Sequence, residues 1–214
     1  MQSFEERVAD TAITYAQKYK EVFLDYEYLL CSKAFLQRDY YIISAHADNY
    51  RHLLGVTTQI SAEEFFEKCI TGTLEVGDFS FVKQNYTELE VRGTVRKKIK
   101  AMPDFVTMME QTLMAQENFT KNSVHCTLAT TDRSVTVGFV AAGKVKPKSL
   151  LRGDKLDASK SDTVDLILRK NRGSEFFSEI ICGDRTQVEK YYDKIEALLS
   201  PELRKKEAQE PATI

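Results

Sequence analysis

Over residues 4–23 the apolar side chains Phe4, Val8, Ala12, Tyr15, Tyr19, Val22 and Phe23 recur at intervals of three and four. That spacing predicts an amphipathic helix with one face against a core. Residues 25–30 and 40–44 are short stretches rich in tyrosine and aliphatic side chains, so each reads as a strand. Asp48 is expected to cap a helix through Leu54, with Gly55 just past its end, where a left-handed residue stops the helix. Ser61-Ala62-Glu63-Glu64 has the form of a capping box, and the helix it opens is expected to run to about Ile70, with Gly72 as the stop. Val91, Val95, Ile99 and Met102 mark a further helix. Pro103 either ends it or opens the next, which carries Phe105, Val106, Met109 and Leu113.

After Asn122 the period changes from helical to strand-like. Residues 124–130 and 135–140 flank a Thr131-Asp132-Arg133-Ser134 turn and predict a hairpin. Residues 144–161, rich in Lys, Gly and Asp, are expected to form a loop. A second strand pair, 163–169 and 175–182, surrounds Asn171-Arg172-Gly173-Ser174. Asp184 then caps a last helix striped by Val188, Tyr191, Tyr192, Ile195, Leu198 and Leu199, and the polar tail 201–214 is expected to fray. The resulting expectation is an α+β fold: N-terminal helices packed on a C-terminal antiparallel sheet of four or more strands with one closing helix, a single domain over residues 1–200.

Composition narrows the class. With 214 residues, 43% apolar and 29% charged, the chain can bury a real core and is not wholesale disordered. Its longest apolar stretch, residues 137–142, contains Gly138 and falls far short of the roughly 18 to 20 residues a bilayer requires, so no membrane partner is expected. The acidic N-terminus is unlike a secretory leader, which leads to a cytoplasmic expectation. Cys31, Cys69, Cys126 and Cys182 are widely spaced without a C-x-x-C pair, and are expected to be reduced thiols rather than disulfides or zinc ligands.

Charge alters the picture more than the formal total of −2 suggests. Residues 1–90 hold 8 basic and 15 acidic side chains, residues 91–172 hold 16 and 8, and residues 173–214 hold 6 and 9. A basic island of this size can focus potential on an anionic partner such as nucleic acid; the alternative is that its lysines solvate exposed helix and turn faces. Within it, Arg96, Lys97 and Lys100 surround one helix surface, and Lys146, Lys148, Ser149 and Arg152 share one proline-containing segment. Just outside it, His46, Arg51 and His52 lie on or beside a short helix. Histidine can take or give a proton near neutrality, and arginine is a permanent forked phosphate ligand; a solvated surface helix is the competing reading. The carboxylates that could gather around a metal are Asp25 with Glu27, or Asp78 with Glu88 and Glu90, and surface roles account for them as well.

Four segments together resemble a phage-associated branch of the barnase/EndoU/colicin/RelE-like nuclease superfamily. They are Tyr50-Arg51-His52-Leu53-Leu54-Gly55, Phe65-Phe66-Glu67-Lys68-Cys69 followed by Gly72-Thr73-Leu74, Thr136-Val137-Gly138-Phe139, and Pro147-Lys148-Ser149-Leu150-Leu151. The resemblance spans roughly residues 25–195 and implies N-terminal helices followed by a four-stranded antiparallel sheet. It implies a metal-independent, cofactor-free endoribonuclease in which the 2'-hydroxyl attacks the phosphodiester. Under that likeness His52, with His46 as second choice, takes the acid/base role; Arg51, Lys148 and Arg169 hold the phosphate; and Thr136 or Ser149 donates a hydrogen bond. Arg96, Lys97, Lys100, Lys146 and Arg152 would track the backbone. RNA is then the expected partner, with an antitoxin or host protein as another. Two further readings stay open: a non-catalytic binding protein on the same scaffold, and a metal-dependent DNA nuclease using the acidic N-terminal half.

Overall fold

The computed structural model describes residues 2–121 and 124–204. Helix α1, Phe4–Tyr19, starts at a capping box in which Ser3 accepts from the Glu6 amide, and a π-helical turn, Lys20–Leu24, extends it. Strands β1, Tyr26–Ser32, and β2, Tyr41–Ile43, follow, and then α2, Ala47–Leu54. Gly55 closes α2 at φ 84°. His46, not Asp48, occupies the N-cap: its backbone N–H donates to Asn49 Oδ1 at 2.8 Å, and Asp48 sits one residue inside the helix. The small β3, Thr57–Thr58, pairs with β4, Phe79–Ser80, on either side of α3, Ala62–Thr71, which Ser61 caps and Gly72 ends as the sequence predicts.

Helix α4, Glu88–Phe105, runs through Pro103. The proline stands in its last turn, and the segment beyond is a single 3-10 turn, Met108–Glu110, rather than a second helix. Strands β5, Met114–Lys121, β6, Val124–Thr131, β7, Val135–Ala142, and β8, Lys144–Arg152, form a meander. The expected loop over 144–161 is therefore a strand in its first nine residues. Pro147 is tolerated there beside a register shift at Gly138/Phe139, where the ladder is already interrupted. Strands β9, Asp162–Asn171, and β10, Glu179–Cys182, precede α5, Arg185–Ile195, and the short α6, Pro201–Arg204. Of the expected frayed tail, residues 205–214 lie outside the described residues.

The expected antiparallel sheet of four or more strands is instead a closed seven-stranded barrel. Among the described residues, seven strands run β1-β2-β8-β7-β6-β5-β9, and β9 returns to β1 over a long antiparallel register from Tyr26↔Asn171 to Ser32↔Val164. Two seams are thin: β2 meets β8 in parallel at Ile43↔Val145, and β5 meets β9 at only two residue pairs.

Three apolar layers hold the molecule together. Strand side chains alternate between faces, so in β1 Tyr28 and Leu30 join the main core with α1–α4, while Leu29 and Cys31 pack with Val188, Tyr191 and Ile195 of α5. Burial on both faces explains why β1 reads as a continuous apolar run. The third layer, Phe119, Cys126 and Ala129, covers β5 and β6. Cys69 belongs to the main core, so each layer contains one buried thiol, and all four cysteines are free.

In the main core Phe23 stacks on Phe105 with centroids 4.6 Å apart, and Tyr19 meets Tyr50 at 4.9 Å. Truncating such a ring to alanine costs about 3 to 5 kcal/mol. The tyrosine hydroxyls are satisfied inside this core. Tyr50 donates to Ala12 O at 2.7 Å and Tyr19 to His46 O at 2.9 Å, so α1 fixes both the start and the buried face of α2.

Candidate functional site

A cleft of about 640 Å³ opens where α2 and α4 approach the β7–β8 wall. From α2 it takes Asp48, Asn49 and His52; from α4, Val91, Thr94 and Lys98; from β8, Lys146, Pro147, Lys148, Ser149 and Leu151. The turn before α4 adds Lys83 and Tyr86, and β5 adds Lys121. Five lysines and one histidine thus face a single carboxylate. The apolar share, including Val91, Val140 and Leu151, lowers the effective dielectric and strengthens each charge on a bound anion.

His52 is solvent-exposed, and its imidazole is held below the ordinary histidine value by partial desolvation and then by the Arg51 guanidinium, with Lys98 and Lys83 adding smaller pushes. Lys98 is its structural partner. The ammonium end donates to the His52 backbone oxygen at 2.7 Å, and burial followed by the charge of Lys83 pushes its pKa down to about 7. The stem of Lys98 lies over Gly55, where a Cβ would stand 2.9 Å from Lys98 Cδ. Gly55 therefore serves twice, as the left-handed end of α2 and as the floor for this side chain. Asp48 Oδ1 is buried and accepts no hydrogen bond from the described residues, which leaves one acceptor in the cleft wall.

The sequence-derived candidates divide into two groups. His52, Lys146, Lys148 and Ser149 converge in the cleft although they come from opposite halves of the chain. His46 stands beside it, exposed at the N-cap of α2; its pKa is lowered by desolvation and then by Lys146 and Arg172. Arg51 turns the other way and donates to Thr58 Oγ1 at 2.9 Å. Thr136 is fully buried, donating to Gly153 O at 2.8 Å and accepting from Lys155 N at 2.9 Å, so its hydroxyl is engaged away from the cleft. Arg96 rests 5.3 Å from the Phe4 ring, and Lys97 and Lys100 are exposed on α4. Arg152 is exposed at the far end of β8, opposite Val135. Arg169 lies over the Tyr26 ring at 4.2 Å and pairs with Glu179 at 2.5 Å, lining a separate hollow.

The carboxylates considered for a metal are dispersed. Asp25 pairs with Lys20, Asp78 with Lys68, and Glu88 with Arg92, while Glu90 caps α4 through Thr87. Glu27 is buried and bonded to Lys144 and Ser44; burial opposes its charge, but these partners hold its pKa below the ordinary value. Among the described residues no group of three or more His, Cys, Asp or Glu side chains converges to hold a metal ion.

Residues 14–193 match the family described as phage-Barnase-EndoU-ColicinE5/D-RelE like nuclease 4. The chain belongs to this nuclease-like family. No match was found among curated proteins or solved structures. Membership makes nucleic acid the class of substrate, in keeping with the lysine-lined cleft. Among the described residues no helix is long and apolar enough to cross a membrane.

Lys98, Lys83, Lys121 and Tyr86 line the cleft without being among the candidates that residue type and spacing single out. Lys98 did leave a signal. Val91, Val95, Lys98 and Met102 follow one another at intervals of four, three and four, so this lysine occupies an apolar stripe of α4. A lysine on a core-facing stripe is costly unless it is paired or neutralised, and that cost marks it as a functional candidate.

Proposed function

We propose that the cleft cleaves RNA by transesterification, with its own side chains as proton carriers and as the cationic clamp. One observation carries this reading: His52, Lys98, Lys146, Lys148 and Ser149 line a single cleft of about 640 Å³. His52, neutral at physiological pH, takes the proton of the ribose 2'-hydroxyl. The freed oxygen forms a bond to phosphorus as the bond from phosphorus to the 5'-oxygen breaks. Lys146 and Lys148 hold the negative charge on the non-bridging oxygens, and Ser149 donates a hydrogen bond to them. Lys98, still partly protonated near neutrality, gives its proton to the departing 5'-oxygen. The products are a 2',3'-cyclic phosphate and a 5'-hydroxyl. On this reading RNA is the partner and the chain acts as an RNA-cleaving effector.

The test is cleavage of single-stranded RNA by the purified chain in the presence of chelator, with analysis of the ends. Cyclic phosphate termini are expected, and His52→Ala and Lys98→Met should each lower the rate by about 10² to 10⁴. Tight binding with intact RNA would favour the non-catalytic binding protein. Cleavage that demands a divalent ion would overturn the assignment of proton carriers.

A further inference from the structure

The turn between β4 and α4 is built to present one aromatic ring. Asn85 takes a left-handed φ of 66°, the Tyr86 amide donates to Lys83 O at 3.3 Å, and Lys83 and Tyr86 face each other as an antiparallel bridge. Both side chains line the cleft. Tyr86 is 63% exposed, and among the described residues no other ring stacks on it. Val82 and Leu89, exposed at 69% and 78%, flank the same turn. An exposed ring on a tight turn, at the lip of a lysine-lined cleft, suits an occupant with both a flat apolar face and a negative charge. A nucleotide has both: its base offers a π-face to the tyrosine, and its phosphate suits the adjacent lysines.

We infer that Tyr86 is a stacking platform for an unpaired base next to the scissile phosphate, so that the cleft accepts single-stranded RNA and excludes duplex. This rests on the RNA reading above and adds to it the form of the substrate. In an A-form duplex the base faces are occupied by neighbouring base pairs, and only edges, phosphates and 2'-hydroxyls are on offer. A ring at the lip of the cleft therefore gains face-to-face contact only with a base that has left the stack. Lys83 sits across the bridge from Tyr86, and its charge is felt by both His52 and Lys98. Tyr86, His52 and Lys98 line the same cleft, so a base stacked on the ring shares it with the proton-transferring pair.

The experiment measures binding in the His52→Ala background, where cleavage is slow enough for binding to be read first. The probes are a fluorescent single-stranded oligoribonucleotide and the duplex of the same length and sequence. Single strands should bind more tightly than duplex. Tyr86→Ala should weaken single-strand binding about ten- to a hundredfold. Tyr86→Phe, which keeps the ring, should restore it, and duplex affinity should be insensitive to either change. Equal binding of both RNA forms, or single-strand affinity unmoved by Tyr86→Ala, overturns the platform while leaving the RNA reading in place. Absence of binding by either RNA form removes that reading and the platform with it.

Discussion

At the scale of single residues, the chemistry turns on two proton carriers whose values are displaced in the same direction. Lys98 faces His52 and Asp48 from α2, Lys83 from the turn, Lys121 from β5, and Lys146 and Lys148 from β8. Lys98 is half-buried, and its partial withdrawal from water, followed by the charge of Lys83, disfavours its protonated form. A neutral His52 with a protonated Lys98 is then most populated between the lowered histidine value and about 7. Plotted against pH, kcat/KM should form a bell whose alkaline limb falls near 7. Lys98→Arg, which stays charged, should remove that limb and lower the maximum, whereas an unchanged limb in the variant would assign it elsewhere. Folding is linked to the same group. Below about 7 Lys98 is charged in both folded and unfolded chains, and its burial opposes folding in full. Above that point the folded chain loses the proton first, so stability from this residue rises until the unfolded lysine also titrates.

At the scale of elements, the site is a junction of helix ends with a strand. Helix α2 is held at its start by Tyr19 and at its last turn by Lys98, and Gly55 sets where it stops. Gly55→Ala should cost about 1 to 2 kcal/mol from the positive φ alone, and its methyl group would also push on Lys98 Cδ. Denaturant unfolding checks the first effect, and loss of the alkaline limb near 7 checks the second; an unmoved midpoint would sink the claim. This junction also shows what was legible beforehand. α1, α2, α3, α5 and the 124–140 hairpin were written in local periodicity, caps and turn residues. The strand containing Lys146 and Lys148 was not, because Lys144, Pro147 and Lys148 imitate a loop, and its pairing to β7 tolerates them at a bulge. β5 was hidden for a similar reason: its Gln116 and Glu117 are buried through tertiary hydrogen bonds, so no clean alternation marks it. Closure of β1 onto β9 links residues more than 130 positions apart, which no local window contains. The candidate site was half legible. His52, Lys146, Lys148 and Ser149 could be named by residue type, but Arg51 and Thr136 were named by the same reasoning and point elsewhere.

At the scale of the whole molecule, the formal charge of −2 hides a local field that is strongly positive in the cleft. Lys83, Lys121, Lys146 and Lys148 are the cations there besides Lys98. If single-stranded RNA replaces counterions on those four alone, log affinity should fall against log salt with a slope of about −3. A slope of about −5 would bring in Arg96, Lys97 and Lys100 on the outer side of α4, and a slope near zero would contradict electrostatic capture. The same architecture has a consequence for following its motions. Burial pushes the Cys31 and Cys69 thiols up to about 12 and raises Cys126 as well, so all three are chemically silent while covered. Since each belongs to a different apolar layer, and Cys182 is only partly covered, a thiol-directed reagent would label them in the order in which the layers breathe. The wild-type chain thus already contains three built-in reporters of its own loosening, with a fourth, more accessible one as the internal clock.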